Sequence, residues 1–189
     1  VIPAENAGIP IRLKNTFTPA ASGTFISRES SGHLVTAIAA KDHITAIRIR
    51  SGRMLNAYGF LRRVFEIFEK HHTPVDMITT SEVSVSLTID NRSKLEQIMT
   101  DISPFGEIHA EDGFTIISIV GDQITNAENL LPGIFEALRG IPIRMVSFGG
   151  STNTISLLVP FEEKMISLQK LDKLIFHTNP LTQQKTSIQ

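Results

Sequence analysis

Cysteine and tryptophan are absent from this chain of 189 residues, and tyrosine occurs once. Without cysteine there are no disulfides and no thiolate chemistry, and the compartment is left open. Charge of either sign is also not in excess: 18 basic and 19 acidic residues leave a net −1. A nucleic-acid surface needs a basic surplus, so that class of partner is disfavoured. An RNA-binding sheet would further need aromatics on its central strands, and the strand candidates carry Ile, Val, Ser and Thr instead. No apolar run approaches the roughly 20 residues of a membrane span. The opening Val1-Ile2-Pro3-Ala4-Glu5-Asn6 is no signal peptide and has no start Met, which leads us to expect a processed chain or an excised fragment.

Two kinds of site are missing as well. The six His lie at 33, 43, 71, 72, 109 and 177, and no pair has helix-face or finger spacing for a metal. The adjacent His71-His72 read as a solvated helix end. Phe148-Gly149-Gly150-Ser151-Thr152-Asn153 is glycine-rich but lies between two strands rather than before a helix, so it reads as a hairpin turn and not as a phosphate cradle.

What the chain does contain is a repeat. Residues 44–90 and 114–160 share the pattern strand, Gly-containing turn, amphipathic helix, two strands. Ile44 aligns with Phe114, Phe65-Glu66 with Phe135-Glu136, and Val85-Ser86-Leu87 with Ile155-Ser156-Leu157, all at an offset of 70. Between them Pro74-Val75-Asp76-Met77-Ile78 falls on Pro142-Ile143-Arg144-Met145-Val146 at an offset of 68. A repeated βαββ unit predicts an α+β fold of two small stacked antiparallel sheets, each covered by helices on one face. With 41% apolar residues the core needs no staples.

The elements follow from periodicity. Ile11 and Leu13 alternate with Arg12 and Lys14, a half-buried strand pattern that has no evident neighbour. Residues 28–33 read as a polar linker, and 34–40 as a buried strand bounded by Lys41-Asp42. The first repeat offers a strand over 44–50 and a helix over 58–71, with Phe60, Leu61, Val64, Phe65 and Phe68 at spacings of three and four. Glu66 and Lys70 are placed for an i,i+4 pair. Strands at 74–78 and 83–89, a helix from Asn91 or Ser93 to Ile102 and a strand at 105–109 complete it. The second repeat has strands at 114–120, 142–148 and 153–159, with helices at 126–139 and 161–171. It ends one strand short, and 34–40 is the obvious donor, which would insert the first unit within the second. The first unit's strand carrying Ile44, Ile47 and Ile49 is expected to be an edge that meets a second copy.

One stretch carries chemistry. Gly59 lies where backbone N–H groups are free at a helix N-terminus, a setting that suits a carboxylate. Asp76 is an acid inside the apolar Val75-Asp76-Met77-Ile78, and a carboxylate in such a run needs a partner such as an ammonium group. Together these describe a site for an amino acid. An edge-strand Asp facing solvent fits the same spacing equally well. At the position of Asp76 the second repeat has Arg144, whose expected work is a structural ion pair.

Ile9-Pro10-Ile11-Arg12-Leu13-Lys14-Asn15-Thr16-Phe17, Arg50-Ser51-Gly52-Arg53-Met54-Leu55, Tyr58-Gly59-Phe60-Leu61 and the long string from Val75 to Leu87 resemble the regulatory region of aspartokinases, nearest to the lysine-inhibited class. The resemblance covers residues 1–172. It implies two ferredoxin-like βαββαβ ACT domains, the first inserted in the second. The first would span 44–110, the second 34–40 plus 112–172, with 1–27 the end of a kinase domain and 173–189 a tail. The Lys-Phe-Gly-Gly signature of the kinase is absent, so the fragment is expected to be inactive, and ATP and Mg would belong to a kinase domain outside it. The resemblance also implies a cytoplasmic homodimer that binds lysine for feedback inhibition at an interface of first ACT domains. The contacts carry over to Met54, Gly59, Phe60, Leu61, Val75, Asp76, Thr80, Ser81 and Glu82. Ala57 departs from a Ser common in bacterial lysine-sensitive relatives. Threonine or S-adenosylmethionine as effector, or a purely dimerising module, are the alternatives.

Overall fold

The computed structural model describes residues 1–27, 33–52 and 58–177. The linker expected over 28–33 lies outside them except for His33, as do Met54, Ala57 and the tail beyond His177. The chain divides into two compact units, Val1–His33 and the rest. In the first, the short helix α1 (Ile2–Asn6) precedes strands β1 (Ile11–Leu13) and β2 (Thr24–Ile26). The neighbour that β1 has no evident source for is local: it pairs antiparallel with β2, Ile11 opposite Ile26 and Leu13 opposite Thr24. The expected half-burial does not follow, since Leu13 and Phe25 are exposed.

The second unit runs β3 (Val35–Arg50), α2 (Phe60–Lys70), β4 (Ile78–Thr80), β5 (Ser84–Ile89), α3 (Leu95–Ile102), β6 (Glu107–Gly121), α4 (Leu130–Ala137), β7 (Met145–Ser147), β8 (Thr154–Pro160) and α5 (Lys164–Asp172). Its six strands are all antiparallel in the order β4-β5-β3-β6-β8-β7. The two repeat halves thus share one continuous sheet, where two separate stacked sheets were expected. The cause is the length of β3 and β6. The sequence divides 34–40 from 44–50 at Lys41-Asp42-His43, and 105–109 from 114–120 at Asp112-Gly113. The chain stays extended through both polar breaks and absorbs them as irregularities in pairing, between Lys41 and Ile44 and between Ile44 and Ala46. His43 and Gly113 take left-handed backbone there, with φ of 61° and 83°.

Each long strand changes role at its bulge. Residues 45–50 of β3 lie between β5 and β6, whereas 35–41 pair with β6 alone. The expectation of a buried strand over 34–40 is therefore overturned: only Val35 is buried there, and Ala37, Ala39 and Ala40 are exposed. The expectation of an edge at Ile44, Ile47 and Ile49 is overturned too. All three are fully buried in a central strand and cannot meet a second copy. On β6, residues 107–111 pair with β3 and only Phe114–Val120 pair with β8. The stretches of the two long strands that are paired on one side only are thus 35–41 and 107–111, open edges additional to the terminal strands β4 and β7.

The helix-covered face holds two cores. Ile47, Ile49, Val85 and Leu87 pack with Phe60, Val64 and Phe68 of α2 in the first half, and Ile117, Ile119, Ile155 and Leu157 with Leu130 and Ile134 of α4 in the second. Within α2 the residues at i, i+4 and i+8 are buried, and Leu61 and Phe65 flank that stripe, partly exposed. Its i,i+4 pair is Arg62–Glu66 at 3.1 Å rather than Glu66–Lys70; Lys70 reaches Asp101 at 2.8 Å instead. On the opposite face Ile44, Met77, Phe114, Ile116, Met145 and Leu158 form a third cluster that joins the halves. No helix of the described residues is long and apolar enough to cross a membrane.

Candidate functional site

The N-terminus of α2 begins at Gly59, which has φ of 75° and caps the helix with no side-chain hydrogen bond. An added Cβ there would meet nothing within 4 Å, so the glycine is required by the left-handed turn and not by crowding. A helix start of this kind has leading N–H groups that an acceptor can take, and Gly59 supplies none from a side chain. Phe60 turns its ring into the core, edge-on to Phe105 at 5.8 Å between centroids. Any ligand contact of Phe60 is therefore through its backbone.

The turn from β4 to β5 carries Thr80, Ser81 and Glu82. The Ser81 N–H donates to the Ser84 carbonyl at 2.8 Å, and the two hydroxyls are 2.7 Å apart. Next to it the Ser51 N–H donates to the Val83 carbonyl at 2.8 Å, tying this turn to the end of β3 that leads on to α2. Gly59, Phe60, Leu61, Thr80, Ser81 and Glu82 thus belong to the same end of the sheet. Met54 lies outside the described residues.

Val75 and Asp76 are at the other end. Asp76 precedes β4, which begins at Ile78, later than the expected strand at 74–78. Its N–H donates to the Thr88 carbonyl at 2.9 Å, and the Met77 N–H takes the Thr88 hydroxyl as acceptor at 2.9 Å. Thr88 faces Ala46, whereas Ser84 beside the turn faces Arg50. Four residues of strand, about 13 Å, separate the two groups along one chain. Val75 faces the helix-side core and Met77 the opposite cluster, so only Asp76 presents its side chain outward.

The carboxylate of Asp76 is not free. The Lys41 ammonium donates to it at 2.6 Å and also reaches Asp90 at 2.7 Å. The hydrogen bond to Asp76, then that to Asp90, raises the Lys41 pKa above its ordinary value. The bond from Lys41 likewise lowers that of Asp90. Sequence reasoning missed both Lys41 and Asp90. Lys41 served there only to bound a strand, and the pairing of 35–41 against β6 that delivers it to Asp76 involves residues some 75 positions away.

The second repeat repeats the frame with the charges exchanged. The Arg144 N–H donates to the Leu158 carbonyl at 2.8 Å, as Asp76 does to Thr88. The Arg144 guanidinium then pairs with Glu111 at 2.8 Å, the ion pair expected of it. The acid of this pair lies on the open-edge half of β6, as Lys41 lies on that of β3. Arg48, Ser86, Glu111 and Arg144 line a cavity of about 170 Å³ on this face. Among the described residues no group of three or more His, Asp or Glu is placed to hold a metal.

The model of the ACT domain family matches residues 47–96 and 117–174, one stretch in each repeat. The chain is similar to aspartokinase 3, chloroplastic, of Arabidopsis thaliana, at 36% identity over 94% of this chain and 34% of that protein. A solved structure described as a C-terminal regulatory domain of aspartate kinase from Porphyromonas gingivalis W83 is 43% identical, with a TM-score of 0.67 over 74% of this chain and 96% of that one. Escherichia coli aspartokinase III, solved in complex with lysine and aspartate, is 31% identical, with a TM-score of 0.83 over 93% of this chain and 41% of that one. The chain spans about a third of the length of the curated plant relatives. With both repeats matched and the regulatory domain of an aspartate kinase covered nearly end to end, this chain belongs to the ACT domain family, as a tandem pair of the aspartokinase regulatory type.

Proposed function

We propose that this tandem senses lysine for an aspartokinase and passes its occupancy to a kinase domain as feedback inhibition of aspartate phosphorylation. The observation that carries the reading is Asp76, a carboxylate turned outward from an otherwise apolar stretch and already engaged by an ammonium group at 2.6 Å. The uncapped N-terminus of α2 supplies donors for a carboxylate. The E. coli relative was solved with lysine. The two ends of the candidate site are about 13 Å apart along one chain, a distance set by four residues of strand. A site that uses both is completed by a second copy, with Gly59, Leu61 and Ser81 from one chain facing Val75 and Asp76 from the other. On this reading 34–40 belongs with 112–172, the first ACT domain is inserted at 44–110, and 1–27 ends the kinase domain.

Binding inhibits only by favouring one conformation of the attached kinase. Calorimetric titration with L-lysine, L-threonine and S-adenosylmethionine in turn tests the proposal. Heat with lysine alone is expected. A response only to one of the other two reassigns the effector, and silence with all three leaves a dimerising module.

A further inference from the structure

We propose that Lys41 is an internal competitor for the amine site: its ammonium holds Asp76 in the empty chain, and a free amino acid binds there by displacing it. The inference rests on the reading of Asp76 as the partner of an effector amine. It deepens that reading by naming what the effector must push aside.

The geometry that carries it is a three-membered cluster. A single ammonium lies 2.6 Å from Asp76 and 2.7 Å from Asp90. The Lys41 and Asp76 side chains are 47% and 21% exposed, so water and ligand have access. An ammonium of the same chemistry as the ligand's is thus already in place, on a flexible stem, at full local concentration. Asp90 gives that stem somewhere to go. When a ligand amine takes Asp76, Lys41 keeps one of its two contacts and is not stranded, which makes the exchange cheap enough to be reversible. Two carboxylates facing one ammonium also leave the cluster net negative, so the site still attracts a cation while Lys41 occupies it.

Position gives the exchange a consequence. Lys41 stands opposite Ile116 on the half of β3 that pairs only with β6. Its link to Asp76 therefore joins the open edge of the second half to the effector end of the first. Displacement breaks that link, the ion pair of Asp76 among the described residues.

Calorimetry with L-lysine on the parent chain, Lys41→Met and Lys41→Gln tests the inference, with circular dichroism to confirm folding. Loss of the competitor should raise affinity about tenfold in either variant. In the parent, reductively ¹³C-methylated for NMR, the Lys41 resonance should move on saturation with L-lysine and its pKa should fall toward the ordinary value. Binding in the parent with no gain in either folded variant, or with an unmoved Lys41 resonance, overturns the inference and leaves the lysine reading intact. Heat absent from the parent but present in a variant means the competitor prevails, and supports the inference. Heat in none of them overturns both.

Discussion

The Thr45 hydroxyl donates to Asp112 at 2.7 Å, across the bulge where β3 meets β6, and the Thr115 hydroxyl donates to Asp42 at 2.9 Å. Each threonine is buried and each bond crosses from one repeat to the other. The four residues are one pair of motifs at an offset of 70, Asp42-His43-Ile44-Thr45 and Asp112-Gly113-Phe114-Thr115. Cations close the outer side of each acid, Lys164 on Asp42 at 2.6 Å and Arg92 on Asp112 at 2.7 Å. The Lys164 bond, with help from Thr115, lowers the Asp42 pKa. These reciprocal clasps fix the point at which the long strands change from interior to edge.

Removing one hydroxyl should weaken the clasp without changing shape. Thr45→Val and Thr115→Val should each cost about 1–2 kcal/mol, because the bond from a buried hydroxyl to a charged carboxylate is lost. Urea denaturation of both variants measures this, and parent-like midpoints would show the clasp to be ornamental.

The left-handed residue in each motif makes a second, opposite pair of predictions. His43 has φ of 61° and Gly113 has φ of 83°. An added Cβ at Gly113 meets nothing within 4 Å, so Gly113→Ala isolates the backbone term, a loss of about 1–2 kcal/mol. His43→Gly should recover part of that amount, reduced by loss of the stacking of His43 on Phe161 at 6.4 Å. Thermal melts that move in the same direction for both would contradict the account.

The repeat was legible because its anchors are core residues whose spacing survives in sequence: Ile44 with Phe114, and Val85 and Leu87 with Ile155 and Leu157, are all buried. The helix α2 was legible for the same reason, its buried stripe recurring every four residues. The long strands were not, since Lys41-Asp42-His43 has the composition of a turn, and what keeps it extended comes from far along the chain: the pairing of Lys41 with Ile116 and the bonds to Asp42 from Thr115 on β6 and Lys164 on α5. The separation of Gly59 from Asp76 was equally hidden. Helix start and strand start look adjacent in a motif, yet a βαβ path places them at opposite ends of the sheet. The Asp76 partner was hidden by range, since Lys41 precedes it by 35 residues and arrives through pairing with β6.

Acid should destabilise the first half through Asp101. It accepts from Lys70 and from His71, each at 2.8 Å, and these bonds, Lys70 first, lower its pKa below the ordinary 3.8. A carboxyl depressed in the folded state stabilises above its unfolded pKa, and that stability is lost as pH falls through the folded value. The loss should begin near pH 3.8 and be complete below the folded pKa. Melting temperatures of the parent and Asp101→Asn, followed from pH 6 to 2, should differ most at the neutral end and converge in acid. A constant gap across that range would remove Asp101 from the acid response.

The last prediction concerns how many effectors one chain takes. The repeats share the strand that presents position 76 or 144 and the backbone bond that fixes it, to Thr88 or to Leu158. They differ in charge: Asp76 attracts an ammonium, whereas Arg144 repels one and is closed by Glu111 at 2.8 Å. That exposed pair contributes only about 0–1 kcal/mol, so Arg144→Ala should leave stability nearly unchanged. It should also leave lysine affinity unchanged, because the cation it removes faces no ligand. Asp76→Asn keeps the shape and removes the charge, and should weaken lysine binding more than tenfold, the effect of about 1.5–3 kcal/mol for a charge-assisted contact. Titration should therefore give one lysine per chain, lost in Asp76→Asn and kept in Arg144→Ala. Two equivalent sites per chain, or a structure with lysine beside Arg144, would overturn the assignment, since the second repeat has a cation, already paired with Glu111, where the first has an acid.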